Sequence, residues 1–349
     1  MAIHKAKLLV NLFLCQLVNN NPMPQLLQKR IVKSKATLPL VIILALTLWC
    51  LRIPFPLDEH ILFNGWWGTV SFPLWLVQGG CLSLCALTSY LLVELNTTYS
   101  IVGNRTTLHV VLYLLLWSSF PPVSHHLESN LIILILVWAT HLLYHSIQQP
   151  EAVGNIFMLF LSIGVGSFIY SPLWLFSLFF FLVLWTLQAL SLRTFFAGLI
   201  GLICPYWMLF GLTLLTDKAE IFYASIHSLP IPFELHSFAF PKGAWIMVAY
   251  IGVIILCSLI YIWVHNSRYK IRTRLLLGAQ QWWVAGFITL WLVCPNGHTM
   301  WLLPIFSCIG MLAGHMFSHS STRLSNISFI GVIVLLVLMS VYSNVWMHW

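Results

Sequence analysis

Long runs without a charge constrain this chain more than any other feature it has. Residues 36–51, 60–93, 106–127, 129–150, 152–192, 194–216, 243–267, 275–322 and 324–349 contain no Asp, Glu, Lys or Arg. A helix drawn from such a run has no charged face to turn toward water, whereas a helix that crosses a bilayer needs about 20 apolar residues. The shorter runs hold one span each, and the two of more than about 40 residues hold two. The expectation is an all-α polytopic transmembrane bundle of about 11 spans. Composition agrees, because charged residues make up 7% of the chain and hydrophobic residues 60%, where a soluble domain carries about 25% charge.

The net charge of +8 and pI near 9.1 would point to nucleic acid in a soluble protein. Here the 16 Lys and Arg are better tested against the excess of cations that membrane proteins keep on the cytoplasmic side. With the N-terminus in and the C-terminus out, Lys5, Lys7, Lys29, Arg30, Lys33, Lys35, Arg105, Arg193, Arg268, Lys270, Arg272, Arg274 and Arg323 fall inside, and only Arg52, Lys218 and Lys242 fall outside. The acids Asp58, Glu59, Glu128, Asp217, Glu220 and Glu234 fall on the outer side. The basic excess is thus topological, and no nucleic-acid partner is expected. The bilayer is the partner.

Residues 1–35 read as a cytoplasmic N-terminal segment. Within it, Met23 opens a basic amphipathic stretch that leads into the first span, so residues 1–22 read as a possible upstream extension with the true start at Met1 or Met23. Residues 36–349 read as one transmembrane domain with outer loops 52–67, 121–129, 216–243 and 295–300. Spans five (about 156–170) and six (about 173–190) are separated only by Ser171-Pro172, which predicts an antiparallel hairpin. Span seven carries Pro205 mid-helix, where a kink or local adjustment is expected. Loop 216–243, with Pro230, Pro232 and Pro241, reads as an irregular or re-entrant cap. Gly310-x3-Gly314 and Ala197-x3-Gly201 fit the small-residue spacing that lets membrane helices approach closely. Cys81 and Cys85, one turn apart, read as small apolar packing residues rather than a redox pair.

Ion-coupled transport on buried carboxylates is disfavoured, since every acid lies at or near an interface. Chemistry, if present, belongs at a membrane surface. Outside, Asp58-Glu59-His60 follows the first span, and His125, His126 and Glu128 lie in the second outer loop. A carboxylate just above the bilayer can act as general base toward an acceptor hydroxyl or hold a divalent metal that neutralises a lipid phosphate. The competing reading is that both loops are solvated turns. Inside, His141/His145 and His315/His319 form two HxxxH pairs, each on one helix face, a geometry that neutral imidazoles use to bind iron. The multi-histidine boxes of membrane di-iron centres are missing, and the simpler reading is of ordinary polar boundary residues. Arg105 and Arg193 are isolated inner-side cations, able to hold a lipid phosphate or simply to anchor the topology.

The text N-R-T-x-L-x-x-V-L-Y-L-L-L at 104–116, F-P-P at 120–122, N-L-I-I-L-I at 130–135, the run 154–171 and R-T-F-F-A-G-L-I-G-L-I-C-P-Y at 193–206 resembles an uncharacterised family of multi-pass inner-membrane proteins of Bacteroidota. Its members are often automatically labelled beta-carotene monooxygenase. That resemblance covers about residues 23–215 and implies the bacterial cytoplasmic membrane. A more distant likeness is to GT-C-type membrane glycosyltransferases. Arg52-x-Pro-x-Pro-x-Asp58-Glu59 is similar to their acidic motif after span one, Glu128 to their second acidic position, and residues 156–193 to their helix hairpin. This chain departs from them in lacking a large C-terminal outer domain. The likeness implies a polyprenyl-phosphate-linked sugar as substrate in cell-envelope glycan assembly, with Asp58 as base or metal ligand and Glu59 and Glu128 in support. His60, His125, His126, Arg105 and Arg193 would then serve substrate binding. Two other expectations stand beside it, a non-catalytic membrane scaffold or carrier, and an iron oxygenase using His141, His145, His315 and His319.

Overall fold

The computed structural model describes residues 37–50, 60–65, 68–103, 106–149, 151–217, 219–227, 242–294, 300–320 and 323–347. In chain order the elements are α1 (Thr37–Cys50), a hairpin of β1 (His60–Gly65) and β2 (Gly68–Pro73), α2 (Leu74–Tyr99), α3 (Leu108–Ser119) and the single turn α4 (Pro121–Ser124). There follow α5 (Leu127–His145), α6 (Val153–Ile169), α7 (Leu173–Thr186), α8 (Leu192–Leu215) and α9 (Ala219–His227). The chain closes with α10 (Lys242–His265), a 3₁₀ turn (Asn266–Arg268), α11 (Ile271–Val293), α12 (Leu302–His319) and α13 (Arg323–Met347).

Among the described residues six helices, α2, α5, α8, α10, α11 and α12, are long and apolar enough to cross a membrane, and shorter apolar helices include α1, α3, α6 and α7. Their outer faces are apolar as well. On α8, Ile200, Ile203, Trp207, Met208 and Leu215 all face outward, Leu215 at 88% exposure. Such a stripe would be a large uncovered patch in water, but lipid tails are as apolar as leucine and leave it no cause to be covered. The protein is therefore a helical, multi-pass membrane protein, as its charge-free runs predict.

The centre of the bundle is α3, all twelve residues of which are buried. At 1.5 Å per residue it is about 18 Å long, well short of the roughly 30 Å hydrocarbon core. It stops because Pro121 has no N–H to donate and pushes the preceding residue out of the helical region. Phe120 accordingly sits at φ −124°, ψ 80°. Backbone that leaves the helix at this depth is tolerated where protein encloses it, and α1, α2, α12 and α13 pack around α3. The small-residue pattern on α12 makes the closest of these approaches. A Cβ on Gly310 would lie 2.6 Å from the His109 carbonyl oxygen, and one on Gly314 would lie 3.3 Å from the His109 Cα.

A second close contact joins α6 to α8. A Cβ on Gly201 would meet the Phe157 carbonyl oxygen at 2.5 Å, and one on Gly164 the Leu202 carbonyl oxygen at 2.8 Å. Pro205 lies within α8, and its ring packs on Gly164. The turn Ser171-Pro172 joins α6 and α7 as a tight hairpin, with the Leu173 N–H donating to the Tyr170 carbonyl at 3.0 Å.

Two regions differ from the sequence reading. Part of loop 52–67 and the expected start of span two form the β1–β2 hairpin, which pairs His60 with Pro73 and Gly65 with Gly68. Ile61, Phe63, Thr69 and Val70 favour extended backbone, and the two glycines suit a tight reversal. The segment is short and borders an apolar run, so its strand signal is absorbed into the span beside it. Loop 216–243 contains the helix α9, and its prolines lie outside the described residues. Cys81 and Cys85 are buried free thiols in the core, as packing residues should be.

Candidate functional site

At the hairpin end of the bundle, three stretches of chain meet around His125. Pro73 ends β2 and supplies the extended N-cap of α2, so Gln78 lies about 7 Å of helix rise beyond the hairpin's base. The Gln78 Oε1 lies 2.7 Å from His125 Nδ1. The His125 ring stacks on Trp49 of α1 at 5.0 Å between centroids, and Trp49 stacks in turn on Trp117 of α3 at 5.9 Å. The Trp117 indole N–H donates to Asn130 Oδ1 at 3.0 Å. The Asn130 amide then donates to the carbonyls of Ser124 and His126 at 3.1 and 2.8 Å. One buried amide thus fixes the turn that carries both histidines, and a polar group so enclosed must be satisfied in this way.

Glu128 is half-buried in the first turn of α5, where the positive end of the helix dipole favours a carboxylate. His126, the N-cap residue of α5, is exposed and makes no side-chain cap bond. His60 pairs by its backbone with Pro73, which brings the chain just after Glu59 to the start of α2. Asp58 and Glu59 themselves lie outside the described residues, as does Arg105.

An apolar slot runs from this cluster along the groove between α1, α2 and α3. Its volume is about 290 Å³, and its lining includes Leu38 and Leu46 of α1, Leu82 and Val93 of α2, and Val110 and Trp117 of α3. From Leu82 to Val93 it follows about 16 Å of helix. Trp117 belongs both to the wall of the slot and to the stack that ends on His125. An elongated apolar groove with a polar cluster beyond its Trp117 wall suits an amphiphile whose tail lies in the groove.

The four histidines of the two HxxxH pairs lie at the opposite end, but not as a ligand sphere. His315 is fully buried, and its Nδ1 lies 2.6 Å from the Ile101 carbonyl oxygen, which can only accept. His319 stacks on it at 4.3 Å with planes 27° apart. Imidazole lone pairs lie in the ring plane, so two stacked rings aim them along near-parallel lines rather than at one ion. His141 is half-buried with its ring edge-on to Tyr99 and Trp138, and His145 is exposed. Among the described residues no three of His, Cys, Asp and Glu come together as a metal site. Arg193 is exposed at the start of α8, beside the Ser191–Thr194 capping box.

Gln78, Trp49, Trp117 and Asn130 carry the hairpin-end geometry, and sequence reading alone misses them. An amide inside a charge-free run is a signal, since a polar group at that depth demands a partner. Trp49 and Trp117 have no such mark among 17 tryptophans. No protein-family model, curated protein or solved structure matches the chain.

Proposed function

We propose that this chain is a membrane enzyme of cell-envelope glycan assembly, similar in plan to GT-C-type glycosyltransferases and acting on a polyprenyl-phosphate-linked sugar. It would sit in the bacterial cytoplasmic membrane with about 11 spans, N-terminus in and C-terminus out. The observation that carries the reading is the apolar slot between α1, α2 and α3, one of whose lining residues, Trp117, stacks through Trp49 on the His125 of the His125–Gln78 pair. An isoprenoid chain suits the apolar lining of the slot. Its phosphate would then lie near His125, His126 and His60.

In the reaction the acceptor hydroxyl oxygen bonds to the anomeric carbon of the sugar. The bond from that carbon to the phosphate oxygen breaks, and the polyprenyl phosphate departs with the electron pair. Asp58 takes the hydroxyl proton, or holds a divalent cation against the phosphate, with Glu59 and Glu128 in support. Removing one such acid–base group costs about 10² to 10⁴ in rate. Asp58→Asn and Glu59→Gln in the native host are therefore expected to deplete surface polysaccharide and to raise the pool of lipid-linked sugar. Unchanged pools in both variants would sink the reading.

The orientation has its own test. A reporter fused after Arg272 is expected to read cytoplasmic and one at Leu235 external, because Arg268 and Lys270 in the α10–α11 linker and Arg272 and Arg274 at the start of α11 favour the inner side. A reversed pair of signals overturns the orientation.

A further inference from the structure

At the end of the bundle away from His125, a groove of about 730 Å³ opens between α10, α12 and α13. It is divided in polarity along its length. Val253, Ile254 and Val332 line one part, and Tyr250 closes that part by donating its hydroxyl to the Val332 carbonyl at 3.3 Å. His265, Arg268 and His319 line the other, with Ser320, Ser325 and Ser328. No Asp or Glu is among the lining residues.

The orientation of the two imidazoles is set by backbone. His265 Nδ1 lies 3.0 Å from the Tyr261 carbonyl oxygen, and its ring stacks on Tyr261 at 4.4 Å. His319 Nδ1 lies 3.2 Å from the His315 carbonyl oxygen. Carbonyls only accept, so these contacts turn an Nδ1 proton toward the backbone, with His319 Nδ1 also 2.9 Å from Ser318 Oγ; a phosphate oxygen is an acceptor too, so it is met at Nε2 only by a ring protonated on both nitrogens. Arg268 adds a permanent cation whose planar fork suits a phosphate. Lys270 follows in the linker, and Arg272 and Arg274 in the first turn of α11, a concentration of positive charge at one end of these helices.

We propose that this groove is a binding site for an anionic phospholipid. The phosphate sits at the end lined by Arg268, His265 and His319, and an acyl chain lies along Val253, Ile254 and Val332. Basic pockets between membrane helices select anionic headgroups by this combination of charge and apolar wall. The proposal does not depend on the glycosyltransferase reading, since it concerns the other end of the bundle and different helices.

The test uses the full-length protein in nanodiscs of mixed phosphatidylcholine and phosphatidylglycerol, with retained lipid measured by native mass spectrometry. Phosphatidylglycerol is expected to be retained in preference to phosphatidylcholine. Arg268→Gln should weaken that retention about tenfold, the scale of one lost charged hydrogen bond. Arg274→Gln removes the same charge away from the groove and should leave retention unchanged. Val253→Trp, at a position 56% exposed, fills the apolar part without altering charge and should displace the lipid as well. Equal retention of the two lipids overturns the proposal, as does equal weakening by R268Q and R274Q. Full displacement by inorganic phosphate at matched ionic strength overturns it too, since the site would then bind an ion rather than a lipid.

Discussion

Alanine at Gly310 is expected to destabilise the protein, while alanine at Gly211 leaves it unchanged or slightly more stable. The chemical change is the same, and the surroundings decide the sign. At Gly310 the new methyl would lie 2.6 Å from the His109 carbonyl oxygen, and backbone cannot swing aside as a side-chain tip can. The α3–α12 interface must therefore part, at a cost of about 1–3 kcal/mol for overpacking. Gly310→Leu should cost more still. At Gly211, within α8, a Cβ meets nothing within 4 Å, so the helix gains the alanine preference of about 0.5–1 kcal/mol. Thermal melting of the purified variants in matched micelles gives the comparison. A Gly310→Ala protein that melts with the wild type would contradict the close approach of α12 to α3. Gly201, where an added Cβ would lie 2.5 Å from the Phe157 carbonyl oxygen, should behave like Gly310.

That contrast also marks what the sequence makes legible. Gly310-x3-Gly314 is visible as spacing, because close helix contact needs a smooth surface one turn long. The partner is not visible: nothing in the sequence says that His109, rather than a residue of any other helix, lies against it. Charge-free runs likewise announce the helices, yet α3 carries the same apolar text as the spans and is a half-length helix enclosed by four others. Apolar residues look alike whether they face lipid or protein, so burial is lost in the sequence while membrane residence is plain.

At the candidate site the same limit applies in a different form. His125 and Glu128 can be singled out because titratable side chains are scarce. The residues that hold His125 and its turn are neutral amides, Gln78 contributed from α2 and Asn130 from the start of α5. The two HxxxH pairs show the reverse case. Spacing puts each pair on one face, but the stacking of His315 on His319 depends on how α12 meets the 100–103 segment and Tyr269. Periodicity places side chains on a face and leaves their ring planes undetermined.

Asn96→Leu is expected to loosen the segment that joins α2 to α3, and with it the seat of His315. Asn96 is buried, and its side chain makes three bonds to that segment. The Val102 N–H donates to Asn96 Oδ1 at 2.8 Å, and the Asn96 amide donates to the carbonyls of Thr106 at 3.0 Å and Gly103 at 3.3 Å. The segment needs this support because Ser100 has a positive φ of 51°, a left-handed conformation that costs a non-glycine residue free energy and persists where its surroundings hold it. Two of its carbonyls face α12: Ile101 accepts from His315, and Val102 accepts from Ser318. Leucine removes all three bonds and strands the buried Val102 N–H, a loss of about 3 kcal/mol on the scale of unsatisfied backbone groups. Asn96→Asp keeps the acceptor for Val102 but loses both donors, so it should fall between leucine and the wild type. Limited proteolysis within residues 100–106, read beside the melting midpoint, separates a local loosening from general unfolding. If Asn96→Leu resists protease there as well as the wild type does, the segment is held by the helices around it and not by this amide.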